Sequence, residues 1–352
     1  MENDNRKLYP LRFIDEGEDK AWGRVVYHIA DLGYKDSMTS EGWLGGSTIN
    51  DLMETYMERV VGDDAFDVYG MQFPLMLRVL DVRGNMPLQV SVPDEVAFER
   101  YDSLGKATLW YVAEASENAL VYLGFSKDMD GGELYARCAD GTLEETLNAV
   151  HPHVGDSFLI RPGTVFAAGQ GLKLIEISES SELTFNIYNW GKELPEGEEL
   201  MLEETLDVIN YRKSDPEPLT GAGELASIPE FKVTGLALKA AIHIFSDQPG
   251  SFALYHCVGG EVMVRVPEEP GSSRMTDYQV KPGHTLLVPS EVDDFYLYPL
   301  MEGTFLLEAL WEKTERLDAY TGEKETAGTE VYDGGEDDEP DPHEMTWTPW
   351  KE

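Results

Sequence analysis

Imidazoles, thiols and clustered carboxylates carry most metal and nucleophilic chemistry, and this chain is sparing with the first two. Seven histidines, at positions 28, 151, 153, 243, 256, 284 and 343, are the whole imidazole supply for a metal centre. His151 and His153 stand two apart and would share one face of a strand, a spacing able to chelate. They lie just ahead of a Gly-Asp turn, so a surface or turn pair is the simpler reading. Cys138 and Cys257 are far apart and suggest no disulfide framework. Neither cysteine nor any serine forms a recognisable nucleophile–histidine constellation. Glu114, Glu176 and Glu179 fall on strand-like stretches and could supply oxygen ligands. With 67 acidic residues in the chain, chance placement accounts for them.

The elements that must position such groups read mostly as strands. The stretch from Gly155 to Gly169, GDSFLIRPGTVFAAG, is a Gly-Asp turn, a short apolar strand, a Pro-Gly turn and a second strand. YQVKPGHTLLVP, from Tyr278 to Pro289, repeats it, with Gly155 and Pro162 answered by Gly283 and Pro289. That repeat predicts two barrels in tandem, and sets Asp293 opposite Phe166. Leu8 to Phe13 alternates as a pairing strand would. Ser47 to Gly62 carries Leu52, Tyr56 and Val60 at helical spacing, with Ser47 or Thr48 as N-cap and Gly62 as stop. Thr142 and Glu145 match a capping box, and a second helix is expected over roughly 198–211. Residues 213–230, rich in Pro, Gly and Ser, read as a linker. The expected division is therefore 1–212, a first barrel with helical elements; 213–230, a linker; 231–315, a second barrel; and 316–352, an acidic, Trp-ended tail that docks back on the body.

The formal net charge of −40 argues against nucleic acid, because phosphate binding needs clustered Lys and Arg. It argues equally against anionic membrane surfaces. A phosphorylated ligand would need a local basic pocket inside a repulsive field. No run approaches the roughly 20 apolar residues of a membrane span, and MENDNRKLYPLRF lacks a signal-peptide core. A reducing, cytoplasmic setting is expected from the cysteines.

The Gly155–Gly169 stretch resembles the second motif of the cupin superfamily, whose closing strand aims a histidine at a metal. The expected fold class is mainly β: two tandem cupin-like double-stranded β-helix (jelly-roll) barrels with a few short helices. Further stretches match in order. Tyr9-Pro10-Leu11-Arg12-Phe13, Lys20-Ala21-Trp22-Gly23, Gly42-Trp43-Leu44-Gly45-Gly46-Ser47-Thr48, Phe73-Pro74-Leu75, Gly105-Lys106 with Trp110-Tyr111-Val112, Asp207-Val208-Ile209 and Phe231-Lys232-Val233 all do so. Together they make the chain resemble type I mannose-6-phosphate isomerases (phosphomannose isomerases). The resemblance implies zinc-dependent aldose–ketose isomerisation of a sugar phosphate, with the metal stabilising an enediolate-like transition state.

Carried across residue by residue, the site is depleted. The family's Gln-Val-His-Pro-Asp-Asp stands as Gln89-Val90-Ser91-Val92-Pro93-Asp94, so the amide is kept as Gln89 and the His is Ser91. The Glu of its Gly-Lys-Thr-Glu is Thr108, and the His of its Gly-Thr-Val-His is Phe166. The active-site Arg is Asn186, and the neighbouring Asp is Asn189. His28 stands near a shortened segment and is a candidate to point toward the pocket. Zinc needs about four N, O or S donors, and three of the four ligand positions (Gln89, Ser91, Thr108, Phe166) no longer offer one of the family's. No cofactor and no confident catalytic residue are therefore expected. Lys106 and Gln89 are the expected substrate-binding survivors, for a sugar or sugar phosphate. The expected function is a degenerate homologue without zinc-dependent isomerisation. An active isomerase with atypical ligands and a different, metal-free carbohydrate enzyme are the alternatives.

Overall fold

The structure, a computed structural model, describes residues 6–245, 250–269 and 271–313. In the first half the elements run β1 (Glu16–Lys20), β2 (Gly23–Ile29), α1 (Ile49–Tyr56), α2 (Glu58–Val61), α3 (Asp63–Tyr69), β3 (Leu75–Val82), β4 (Leu88–Ser91) and α4 (Asp94–Tyr101). They continue with β5 (Thr108–Ala115), β6 (Val121–Phe125), α5 (Gly131–Asp140), a 3-10 turn, β7 (Leu147–Val150), β8 (Asp156–Ile160), β9 (Val165–Ala168), β10 (Leu172–Glu179), β11 (Thr184–Tyr188) and α6 (Leu202–Thr205). The second half is all strand: β12 (Leu219–Thr220), β13 (Gly223–Ser227), β14 (Lys232–Leu238), β15 (Ile242–Phe245), β16 (Ala253–Gly259), β17 (Val262–Pro267), β18 (Met275–Val280), β19 (Thr285–Val288), β20 (Asp294–Pro299) and β21 (Thr304–Leu310).

Two sheet orders recur. The first half contains β3-β10-β5-β8 within one sheet and β4-β9-β6-β7 within another. The second contains β14-β21-β16-β19 and β15-β20-β17-β18. Strand for strand these are the same eight-stranded antiparallel jelly roll, twice. The turn that opens the last Greek-key passage is also the same. Gly155 (φ 93°) donates its N–H to the Val112 carbonyl at 2.9 Å, and Gly283 (φ 78°) donates to that of Cys257 at 2.7 Å. Both glycines sit in the left-handed region where a Cβ would strain the backbone. That shared need is why the two turns were recognisable in the sequence.

Strand β5, TLWYVAEA, is buried on both faces along most of its length and so lacks alternation. Trp110 and Val112 face the inside of the first barrel, with Leu123, Phe158 and Phe166. Leu109 and Tyr111 face outward. There they join Leu75, Ile175 and Ile177 in one continuous core with Leu254, Leu287 and Leu307 of the second barrel and with Leu52, Met53 and Val60 of the helices. The two barrels thus lie back to back through the outer faces of their larger sheets. The outer face of the first barrel's smaller sheet is covered by α4, α5 and the segment around Leu202 to Tyr211.

Several expectations need correcting. The 213–230 linker carries two strands: β12 pairs with β8 of the first barrel and β13 with β14 of the second. Short edge strands with Gly and Pro show too little periodicity to be read. The Ser47–Gly62 helix is broken: Thr48 and Asp51 cap α1 reciprocally, then Met57 adopts φ 49° and the chain restarts as α2. The second helix, expected over 198–211, is a single turn, α6. Thr142 makes no side-chain cap bond, and 143–146 is a 3-10 turn. Leu8 to Phe13 forms only isolated bridges, Leu11 to Leu287 and Phe13 to Thr39. The polar stretch after Asp94 is helix α4, and α5, capped by Asp130, had no expected counterpart. The expected tail, 316–352, lies outside the described residues.

Candidate functional site

The inside of the first barrel gathers the positions singled out in the sequence. Leu88, Val90 and Val92 pack outward, so alternation turns Gln89 and Ser91 inward. By the same rule Asn186 points in between Phe185 and Ile187. Asn186, Gln89 and Phe166 are register neighbours across β11, β4 and β9. The Gln89 amide nitrogen donates to Asn186 Oδ1 at 2.8 Å. Phe166 is 3% exposed and sets its ring edge-on to Trp110, centroids 5.4 Å apart at 80°. Thr108 begins β5, two residues from Trp110 on the same face. Lys106, 2% exposed, donates its backbone N–H to the Val92 carbonyl at 3.1 Å, tying the end of β4 to the start of β5.

At the centre stands Glu176 of β10, which the sequence offered only as a possible oxygen ligand placed by chance. Its Oε1 accepts from Arg78 Nε at 2.7 Å, its Oε2 accepts from the Trp110 indole at 2.8 Å, and Lys106 Nζ lies 3.6 Å away. Arg78 also donates to Glu182 at 2.8 Å and to the Tyr27 hydroxyl at 3.3 Å. Burial would push the Glu176 carboxyl up. The Arg78 and Lys106 charges and the indole bond outweigh it and hold the group at about 2. Burial, reinforced by Arg78 and opposed by Glu176, pulls the Lys106 ammonium below the usual lysine range. Burial also disfavours the charged Arg78, but Glu176 and Glu182 reverse this and hold it more firmly protonated. The one legible signal was Arg78 itself: an arginine in the middle of FPLMLRVLDV can be buried only against a carboxylate.

Three polar atoms here, Ser91 Oγ, Thr108 Oγ1 and Lys106 Nζ, are out of reach of solvent and have no hydrogen-bond partner. The side chains at the four family positions offer an amide, two hydroxyls and, at Phe166, no donor at all. The ionised groups beside them are two cations and a carboxylate already engaged. Zinc takes imidazole, thiolate and carboxylate donors, so this set does not fit it. Among the described residues no three His, Cys, Asp or Glu gather as a metal group.

The second barrel repeats the centre. Tyr255 pairs with Glu308 as Trp110 pairs with Glu176. The Tyr255 hydroxyl donates to Glu308 at 2.8 Å, and its ring meets Phe295 edge-on at 6.1 Å and 72°. The counterpart of Phe166 is therefore Phe295 and not Asp293: the sequence register slips across the longer turn before β20. The counterpart of Arg78 is Thr234, opposite Glu308.

The remaining candidates lie elsewhere. His151 and His153 are exposed, with His153 beside Asp156 at 3.6 Å in the turn. His28 does not enter the first barrel. It pairs with Asp15 at 2.8 Å and packs edge-on against His256 of the second barrel, 5.4 Å away. Burial, with His28 and His284 nearby, lowers His256 to about 3. His243 is exposed and stacks on Tyr296. Glu114 makes a surface pair with Lys173. Glu179 is buried on the face turned toward the second barrel, accepts the Ala107 N–H at 2.8 Å, and is pushed well up by burial and by Asp94. Asn189 donates to carbonyls of its own loop.

Two antiparallel jelly rolls, joined back to back and repeating one glycine turn, give the chain a cupin-like double-barrel fold. No protein-family model matches the chain. Mannose-6-phosphate isomerase of Streptococcus mutans is 27% identical over 219 residues, 60% of this chain and 68% of that protein. ManA, the mannose-6-phosphate isomerase of Bacillus subtilis, is 27% identical over 221 residues, 57% of this chain and 68% of its own. The crystal structure of a Bacillus subtilis mannose 6-phosphate isomerase superposes with a TM-score of 0.74 at 19% identity, covering 86% of this chain and 99% of that one. By sequence and fold together the chain is a relative of the mannose-6-phosphate isomerases.

Proposed function

We propose that this chain is a non-catalytic relative of those isomerases, its first barrel closed by an ion-paired core where the family's zinc site would be. The observation that carries the reading is the Arg78–Glu176–Lys106 cluster together with Phe166. Two cations gather on Glu176 inside this barrel, and a phenyl ring stands at a position where the family has a ligand. A divalent cation there meets repulsion and no anionic donor that is free. The Asn186 amide, bonded to Gln89, cannot supply the charge an arginine would give a developing oxyanion.

Gln89 and Lys106 are the groups of this barrel that the reading assigns to meet a sugar hydroxyl or a phosphate oxygen. A ligand reaching Lys106 competes with Glu176, and the reading assigns the barrel no turnover. Cytoplasmic residence belongs to the same reading. It rests on Cys138 and Cys257 being free thiols, and among the described residues no helix is long and apolar enough to cross a membrane.

Metal analysis of the purified chain, with a coupled assay for mannose 6-phosphate isomerisation, is the test. The expected result is neither zinc in stoichiometric amount nor turnover; zinc with turnover overturns the proposal. Thermal shift with hexose phosphates tests residual binding in the first barrel. A ligand at 100 times its Kd stabilises by about 2.7 kcal/mol.

A further inference from the structure

A chain with a net charge of −40 repels anions over most of its surface, and an anionic ligand needs a place where that field is locally reversed. One cleft meets the condition. It lies where the N-terminal segment runs beside β19 of the second barrel, and its volume is about 820 Å³. That is within the range of ligand sites, roughly 300–1,000 Å³. Lys7 and Arg12 enter it from the segment, and Lys281 and His284 from the glycine turn before β19. The two acids of the lining are already engaged by cations. Glu41 pairs with Arg12 at 2.9 Å, and Asp277 pairs with Arg265 at 2.7 Å. Lys7 and Lys281 are exposed and make no ion pair among the described residues. The cleft therefore keeps two uncompensated ammonium groups, with the exposed imidazole of His284 on the same lining.

The internal repeat separates this charge from the needs of the turn. In the first barrel the Asp156 N–H donates to the His153 carbonyl at 3.0 Å, and in the second the His284 N–H donates to the Lys281 carbonyl at 3.1 Å. The backbone bond is the same, and the side chains are not. Asp156 also accepts the His153 N–H at 2.7 Å. In the second barrel that bracing acid is replaced by His284, and His153 by Lys281, so the turn gives up a carboxylate and gains an ammonium group.

The walls of the cleft are set in advance. Leu11 and Leu287 exchange backbone hydrogen bonds at 2.7 and 2.9 Å, and Arg12 donates to the Gln279 carbonyl. The Tyr9 hydroxyl donates to the Glu41 carbonyl at 2.8 Å and accepts the Leu44 N–H at 3.1 Å. A Cβ on Gly42, at φ 78°, would fall 2.1 Å from that hydroxyl, so only glycine lets the loop approach this closely. Tyr9 stacks on Tyr278, centroids 6.4 Å apart, and both rings are half-buried. Groups held this way lose little further freedom on binding.

The occupant follows from these groups. Two free ammonium groups beside a guanidinium call for a compact anion with more than one charge, which a phosphate monoester carries. Glu41 and Asp277 are exposed and retain lone pairs able to accept from hydroxyls. The tyrosine rings offer an apolar side to a carbon skeleton. A neutral sugar would leave the ammonium groups uncompensated. We infer that the cleft formed by Lys7, Arg12, Lys281 and His284 against Tyr9 and Tyr278 binds a small hydroxylated phosphate ester. The site belongs to the second barrel and does not depend on the loss of catalysis in the first.

Isothermal titration of the full chain with glucose 6-phosphate tests it, with glucose and inorganic phosphate as comparators. The expected result is one saturable site for the ester, no binding of glucose, inorganic phosphate weaker by about threefold or more, and affinity that falls as salt is raised from about 0.05 to about 0.2 M. The double variant Lys7→Ala/Lys281→Ala should weaken the ester by about tenfold or more. Both side chains are exposed and unpaired among the described residues, so its unfolding transition should match that of wild type. Lys281→Glu alone, which restores an acid to the turn, should weaken binding at least as far. Absence of ester binding overturns the inference, as does glucose or inorganic phosphate binding as tightly as the ester. So does affinity unchanged in the double variant, which would place the ligand elsewhere. A thermal shift by hexose phosphates that survives in that variant reports on the first barrel instead.

Discussion

Replacing Glu176 by Gln removes the carboxylate that Arg78 and Lys106 share at the centre of the first barrel. The variant keeps the shape and an acceptor for the Trp110 indole. It leaves two buried cations with Glu182, on the rim, as their remaining partner. Breaking a buried ion pair from one side costs about 3–5 kcal/mol, because the other charge stays desolvated. The carboxyl itself gives a second route to the magnitude. Its displacement from 4.5 to about 2 is equivalent to about 3 kcal/mol of preference for the ionised form. The fold supplies its own control in Glu308, which occupies the same place in the second barrel but faces Thr234 instead of an arginine. Glu308→Gln keeps an acceptor for the Tyr255 hydroxyl and should cost under about 1 kcal/mol. Urea unfolding of wild type and both variants at pH 7 reads the difference directly. The sign with pH is fixed. A carboxyl lowered in the folded state contributes stability above its unfolded value, and that contribution is lost as pH falls from about 4.5 toward 2. Wild type and Glu176→Gln should therefore converge in acid. If Glu176→Gln costs no more than Glu308→Gln at neutral pH, the ion cluster does not hold the first barrel and the reasoning fails.

Two further outcomes are expected. Phe166→His should not create a zinc site, because Ser91 and Thr108 still offer hydroxyls and Arg78 and Lys106 still face inward; equilibrium dialysis against zinc with metal analysis checks this, and stoichiometric uptake would show that the ligand positions are misassigned. His256 is held neutral in the fold, so below pH 6.5 the unfolded chain takes up a proton that the native state refuses until about pH 3. Stability should fall by about 2 kcal/mol between pH 6.5 and 5 from this group, and His256→Phe should flatten that slope in urea titrations at the two pH values.

What could be read from the sequence was what local geometry dictates. Gly155 and Gly283 must take positive φ, and Thr48 announces its helix because a capping box needs only four residues. The barrel-facing places of Gln89, Ser91, Thr108 and Phe166 came from the order of motifs. The partnership of Glu176 with Arg78 could not be read, since the two are 98 residues apart and the chain offers 67 acids. Met57 was invisible for a different reason: a left-handed methionine is tolerated only because the packing of Leu52, Met53 and Val60 on both sides fixes it. The slip that set Asp293 against Phe166 came from counting along a turn whose length differs between the barrels.

The core shared between the barrels bears on how the chain is made. While the first barrel emerges from the ribosome, its Leu75–Leu109–Ile177 face has α1 and α2 for partners but lacks the cover of the second barrel until strands as late as β21 exist. At about 5–20 residues per second the intervening hundred or so residues take roughly 5–20 s to synthesise. For that interval the nascent chain displays a wet apolar sheet, the kind of surface that holdase chaperones engage. A message cut short between the barrels would yield a product fixed in that condition, disposed to aggregate or be degraded rather than persist as half a protein.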